Sequence, residues 1–177
     1  MAESKRPRAP VGSHYPLVFS CVHLVRGEDF LARVAMNSRI FEVIETDGIW
    51  MYGVNPGAIA GGGSDGTDAF RDFKKHLRAA TQEMADDSGS FSTFKTKIEE
   101  FFNATAKPTE VEWNDAVQGV REGRITLPGA KVIPNAKWWI KVSALPISEP
   151  KPEIRAVEKP GSINLAGANT SDFSKVA

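Results

Sequence analysis

From Leu17 to Val25 the chain is dense in Val, Phe and Leu, which predicts a first β-strand. Arg26-Gly27-Glu28-Asp29 breaks it with a turn; Phe30 to Met36 predicts a second strand, and Asn37-Ser38-Arg39 a further turn. In the next strand Ile40, Glu42 and Ile44 share one face and Phe41 and Val43 the other, which predicts helix cover on at least one side. Asp47-Gly48 has the composition of a tight primed turn with positive φ at both positions, and Ile49 to Val54 is the returning strand. Together these runs predict a meander of about four strands.

Pro56-Gly57 ends the meander, and Gly61-Gly62-Gly63 reads as a loop open to binding or close packing. Asp65, three residues before Asp68, is a weak reciprocal cap, after which Phe70, Phe73, Leu77, Ala80 and Met84 recur at helical spacing. That helix should lie across the sheet. A second helix starts near Ser90 or Ser92 with the stripe Phe94, Ile98, Phe101 and Phe102. A third follows Pro108 with the capping box Thr109-x-x-Glu112, the apolar side Val111, Ala116, Val117 and Val120, and the stop Gly123. Trp113 falls partly off that stripe, which suits either packing against a neighbour or a partner surface.

Arg124 to Leu127 and Trp138 to Val142 are short strand candidates separated by Pro128-Gly129 and Pro134-Asn135. Alternation within a strand would send Trp138 and Trp139 to opposite faces, one toward the core and one to an edge or a partner. The chain thus predicts one α+β domain over 14–144, an antiparallel meander covered by helices. Residues 1–13, with Lys5, Arg6 and Arg8, read as a disordered basic tail, and 145–177, carrying several prolines, as a second disordered tail.

Composition removes several function classes. The 22 basic and 22 acidic residues cancel, so no overall field draws the chain to nucleic acid or anionic lipid. A single cysteine, Cys21, excludes an internal disulfide and a multi-cysteine zinc site. No apolar run approaches the roughly 20 residues of a membrane span, and the first residues lack a secretory apolar core, so a cytoplasmic location is expected. The glycine run lacks the lysine and Ser/Thr of a phosphate loop.

The succession Asp47-Gly48, Trp50-Met51-Tyr52-Gly53-Val54, Pro56-Gly57, Gly62 or Gly63 and Asp68-Ala69 resembles the core of the HicB-like antitoxin domain over roughly residues 38–86. The resemblance implies a strand meander followed by a helix and a further strand, comparable to a truncated ribonuclease H fold. It also implies a protein that binds and neutralises a small RNA-cleaving toxin, often with a DNA-binding module attached. Asp65 stands where the family usually has Thr, Ala58 where Cys is frequent, and two extra strands precede the match.

A DNA-binding module is not legible. Arg124-Ile125-Thr126-Leu127-Pro128 starts like a ribbon-helix-helix strand, but Pro128, Gly129 and Pro134 prevent the helix that must follow. The helix pair between Ile98 and Val120 has an acidic second member, with Glu110, Glu112, Asp115 and Glu122 repelling phosphates. Metal-assisted hydrolysis needs converging carboxylates, whereas Asp29 and Asp47 fall in turns and Glu42 and Glu45 on opposite strand faces. His14, His23 and His76 share no ligand spacing. The expectation is therefore a non-enzymatic module without metal or cofactor, binding a protein partner such as a toxin-like ribonuclease through Trp113, Trp138 or Trp139. The alternatives are a nucleic-acid binder using Lys74, Lys75, Arg78, Lys95 and Lys97, or a phage-type structural or accessory protein.

Overall fold

A computed structural model describes residues 12–105, 107–126, 133 and 136–147. Its sheet is built on one long strand, β2 (Leu31–Ile44), flanked on one side by β1 (His14–Arg26) along its whole length. The other side of β2 is shared. Its second half pairs with β3 (Ile49–Asn55) and its first half with β5 (Trp139–Leu145), all antiparallel. A short β4 (Ala60–Gly63) extends the sheet beyond β3. The result is the expected α+β class, a curled antiparallel half-barrel with three helices.

Alternation sorts the side chains. Leu17, Phe19, Cys21 and Val25 of β1, Ala32, Val34, Met36 and Ile40 of β2 and Ile140 and Val142 of β5 join one core, on the front face. Over it lie α1 (Gly66–Asp86), with Ala69, Phe73 and Leu77 buried, and α2 (Phe91–Asn103), with Phe94, Ile98 and Phe102 buried. Each of those phenylalanines stabilises the fold by about 1.5–3 kcal/mol through burial. The caps agree with the expected starts: Asp65 accepts from the Thr67 and Asp68 amides, and Ser90 from the Thr93 amide. Phe41, Val43 and Val54 face the other way and form a smaller core with α3 (Lys107–Arg121), on the back face.

Four expectations are corrected. Asn37-Ser38-Arg39 is not a turn but the middle of β2: distant groups bind Asn37 and Arg39, while the buried Ser38 hydroxyl finds no partner among the described residues. Asn37 accepts from Ser20, and Arg39 binds Asn55 and Glu110; a register shift opposite β3 absorbs the local irregularity. Gly61–Gly63 is strand rather than loop. A Cβ on Gly61 would lie 2.2 Å from the Phe73 amide nitrogen, and one on Gly63 2.4 Å from that of Ala69, so glycine lets α1 rest directly on β4. The turn into β3 is closed by the Glu45 amide donating to the Gly48 carbonyl, and among the described glycines only Gly12 and Gly123 have positive φ. Gly48 is instead required by contact, its Cβ position lying 2.6 Å from the Gly63 carbonyl oxygen. Arg124–Thr126 is not strand; the Arg124 and Ile125 amides bond back to the Gly119 carbonyl, closing α3 after Gly123.

The strand reading at Leu127, the turns at Pro128-Gly129 and Pro134-Asn135 and nearly all of both tails lie outside the described residues. The sheet begins at His14, three residues before the expected first strand, and ends at Leu145.

The α1–β4 contact sets an expected outcome. Gly61→Ala should cost at least about 1–3 kcal/mol in urea unfolding because backbone, not a flexible side-chain end, occupies the added volume. Gly89→Ala, with nothing within 4 Å of its Cβ position, should be close to neutral. Equal stabilities for the two variants would contradict the packing.

Candidate functional site

The back face has two unlike halves. Over β2's second half, α3 is held by Arg39, whose side chain is only 2% exposed. Its guanidinium lies 3.7 Å from the Trp138 ring centroid and 5.1 Å from that of Trp113, two aromatic faces that attract a desolvated cation. Its Nε donates to Asn55 Oδ1 at 2.5 Å and its Nη2 to Glu110 Oε1 at 2.8 Å. Asn55 in turn donates to the Phe102 carbonyl at 3.0 Å. One side chain therefore links β2, β3, α3, the end of α2 and the segment leading into β5.

Over β2's first half no described helix covers the back face. Four cross-strand rows cross β1, β2 and β5 there: Ser20–Asn37–Trp139, Val22–Ala35–Lys141, Leu24–Arg33–Ser143 and Arg26–Leu31–Leu145. Val22 is 52% exposed, Leu24 61% and Trp139 48%. The rows contain three cations and no carboxylate. Asn37 ties this half to the first by donating to the Lys137 carbonyl beside Trp138.

The tryptophans expected as partner contacts thus divide. Trp113 is corrected to a core residue: it is 6% exposed, packed edge-on to Trp138 and lying under Arg39. The apolar side of α3 is accordingly Trp113, Ala116 and Gly119, while Val111 is exposed. The helix begins at Lys107, which places Thr109-x-x-Glu112 within its first two turns rather than at its cap. Trp138 and Trp139 do not occupy opposite faces. Trp138 precedes β5 and stacks on Arg39, and Trp139 pairs with Asn37, so both lie on the back.

The five basic residues of the nucleic-acid alternative also divide. Lys74 and Arg78 stand on α1 beside β1, Lys74 over the Phe70 ring, and Lys75 is exposed on the same helix. Lys95 approaches Glu99 and Lys97 donates to the Asp87 carbonyl, both on α2. Of the carboxylates, Asp29 sits in the β1–β2 turn, at the far end of β2 from Glu42, Glu45 and Asp47. Glu45 accepts from the Tyr52 hydroxyl at 2.9 Å and Asp47 from Trp50 at 3.4 Å. Among the described residues no group of three or more His, Cys, Asp and Glu could hold a metal ion.

Sequence reasoning passed over the junction of β1 and α1. His23 Nε2 lies 2.9 Å from Thr81 Oγ1, and the Thr81 hydroxyl gives its proton to the Arg78 carbonyl. His23 must therefore donate, with its proton on Nε2. Burial, then the nearby Arg78 charge, lowers the pKa of His23 below its ordinary value of 6.5. Burial pushes the Cys21 thiol up, against a weaker pull from Arg78 and Lys74, which lowers its thiolate fraction. The outward signal was present in the alternating run Ser20-Cys21-Val22-His23-Leu24, but the missing neighbour on its far side was not.

Compared with known proteins, the chain matches no family model, no curated protein and no solved structure.

Two outcomes test this geometry. Arg39→Ala should destabilise the protein by about 3 kcal/mol, because it strips partners from Asn55 and uncovers two indoles, whereas Arg71→Ala in the exposed pair with Asp68 should cost under about 1 kcal/mol. Equal urea midpoints would contradict the linking role of Arg39. Because the folded-state pKa of His23 is depressed, its contribution is present above about pH 6.5 and lost as pH falls, when only the unfolded chain takes up the proton. His23→Gln should flatten that acid-side decline in melting temperature; an unchanged pH profile would contradict it.

Proposed function

We propose that this chain is a non-catalytic, stoichiometric protein-binding module, an antitoxin-like inhibitor or regulator in the manner of the HicB-like domain it resembles. The observation that carries the reading is the open half of the back face, where Val22, Leu24 and Trp139 stand exposed beside Trp138. Exposed aromatic and apolar groups on a rigid sheet bury large area at small entropic cost, as binding anchors do. Trp139 is the central anchor of this reading, with Trp138 at its margin. The partner in this proposal is a small toxin-like ribonuclease encoded nearby, met in the cytoplasm. Among the described residues no helix is long and apolar enough to cross a membrane.

One observation favours a second reading. Arg26, Arg33 and Lys141 share the open rows with Trp139, a combination of cations and stacking ring that also suits a single-stranded nucleic acid. Salt separates the two. A nuclease-treated complex with the neighbouring gene product should persist at high salt in a fixed ratio by light scattering, and Trp139→Ala should weaken it at least about tenfold with an unchanged melting temperature. Recovery of nucleic acid alone, lost as salt rises, would overturn the protein-binding reading.

A further inference from the structure

β1 is 13 residues long and hydrogen-bonded to a strand on one side only among the described residues. The direction of its main-chain groups follows from the bonds at its two ends. The Ile44 amide donates to the Ser13 carbonyl and the Gly27 amide to the Phe30 carbonyl. Antiparallel pairing alternates, so the odd residues of β1 bond to β2 and the even ones turn N–H and C=O outward. The Arg26 carbonyl is taken by Gln82 at 2.8 Å. Ser20, Val22 and Leu24 are exposed, and among the described residues no strand pairs with their outward main-chain groups.

An open groove of about 630 Å³ runs between this edge and α1, lined by Val22, Leu24, Arg78 and Gln82 among others. The α1 row bordering the edge is Phe70, Lys74, Arg78 and Gln82, spaced four residues apart and free of acid. Among the described residues neither Lys74 nor Arg78 is in an ion pair. The carboxylates in the vicinity lie past the end of the ladder, Glu28 and Asp29 in the turn and Asp86 bonded to Gln82.

We propose that the β1 edge receives an extended acidic segment of another protein as an added antiparallel strand, with carboxylates toward Lys74 and Arg78 and apolar side chains beside Val22 and Leu24. The edge supplies main-chain bonds, and the two faces of the added strand meet unlike surroundings, so the ligand needs acidic and apolar residues in alternation. A second copy of this chain is the poorer occupant. Joining two β1 edges about a two-fold axis would bring Lys74 and Arg78 of both copies together, a like-charge contact.

This inference rests on the reading of the chain as a binding module, but its test does not depend on Trp139. The probe is an end-blocked eight-residue peptide alternating valine and glutamate, titrated into the full-length chain, with the valine–lysine peptide as control. The glutamate peptide should bind at least about tenfold more tightly, protecting the Ser20, Val22 and Leu24 amides from exchange. Methylating alternate peptide nitrogens should abolish binding. So should Val22→Pro, which removes an outward N–H without touching the β1–β2 ladder. Lys74→Glu with Arg78→Glu should reverse the preference toward lysine, and Trp139→Ala should leave the isotherm unchanged. Equal binding of both peptides, or binding indifferent to methylation, would overturn the proposal, as would a dimer of the free chain that Val22→Pro dissociates. Absence of peptide binding alongside a partner complex sensitive to Trp139 would sink the edge assignment while leaving the binding-module reading in place.

Discussion

Arg39 carries a charge that almost no water reaches, and the architecture depends on how that charge is satisfied. A buried guanidinium without partners would cost several kcal/mol. Here each side of the group is answered by a different element: Asn55 from β3, Glu110 and Trp113 from α3, and Trp138 from the approach to β5. Glu110 remains partly exposed, so the ion pair itself is modest. The strength lies in the enclosure, where planar stacking and directed hydrogen bonds act on one rigid group. Any element that moved would leave the other partners facing an incompletely satisfied cation.

That enclosure occupies one half of the back face and fixes what the other half is. Once α3 is fastened over Phe41, Val43 and Val54, the described chain offers no second helix for the rows around Ala35. The front face is closed by α1 and α2 along both halves of β2, and the glycines of β4 allow α1 to sit at backbone contact. A sheet that, among the described residues, is closed on one face, half closed on the other and open along β1 is stable through its front core. It can therefore keep exposed apolar groups and a free strand edge, features that otherwise invite association.

Local signals made much of this legible. The caps at Asp65 and Ser90, the stripes of α1 and α2 and the hairpin into β3 are written in residues a few positions apart, so periodicity found them. What escaped depends on distant partners. Asn37-Ser38-Arg39 has turn composition, yet Asn37 is answered by Ser20 and Arg39 by Asn55 and Glu110. Trp113 left the expected stripe of α3 because its neighbour is Arg39, and the strand at Gly61–Gly63 exists because of the helix that follows it. Trp138 and Trp139 were recognisable as candidates, but which of them lies open was not. An unpaired edge leaves no mark on a sequence, since it consists of a neighbour that is absent.

Residue-resolved amide hydrogen exchange along β1 in the free protein tests the central claim most directly, that this strand is bonded on one side and open on the other. Phe19, Cys21, His23 and Val25 should exchange slowly, and Ser20, Val22 and Leu24 much faster, in strict alternation. Uniform slow exchange from Phe19 to Val25 would contradict the account, because it would mean that the outer ladder is already covered.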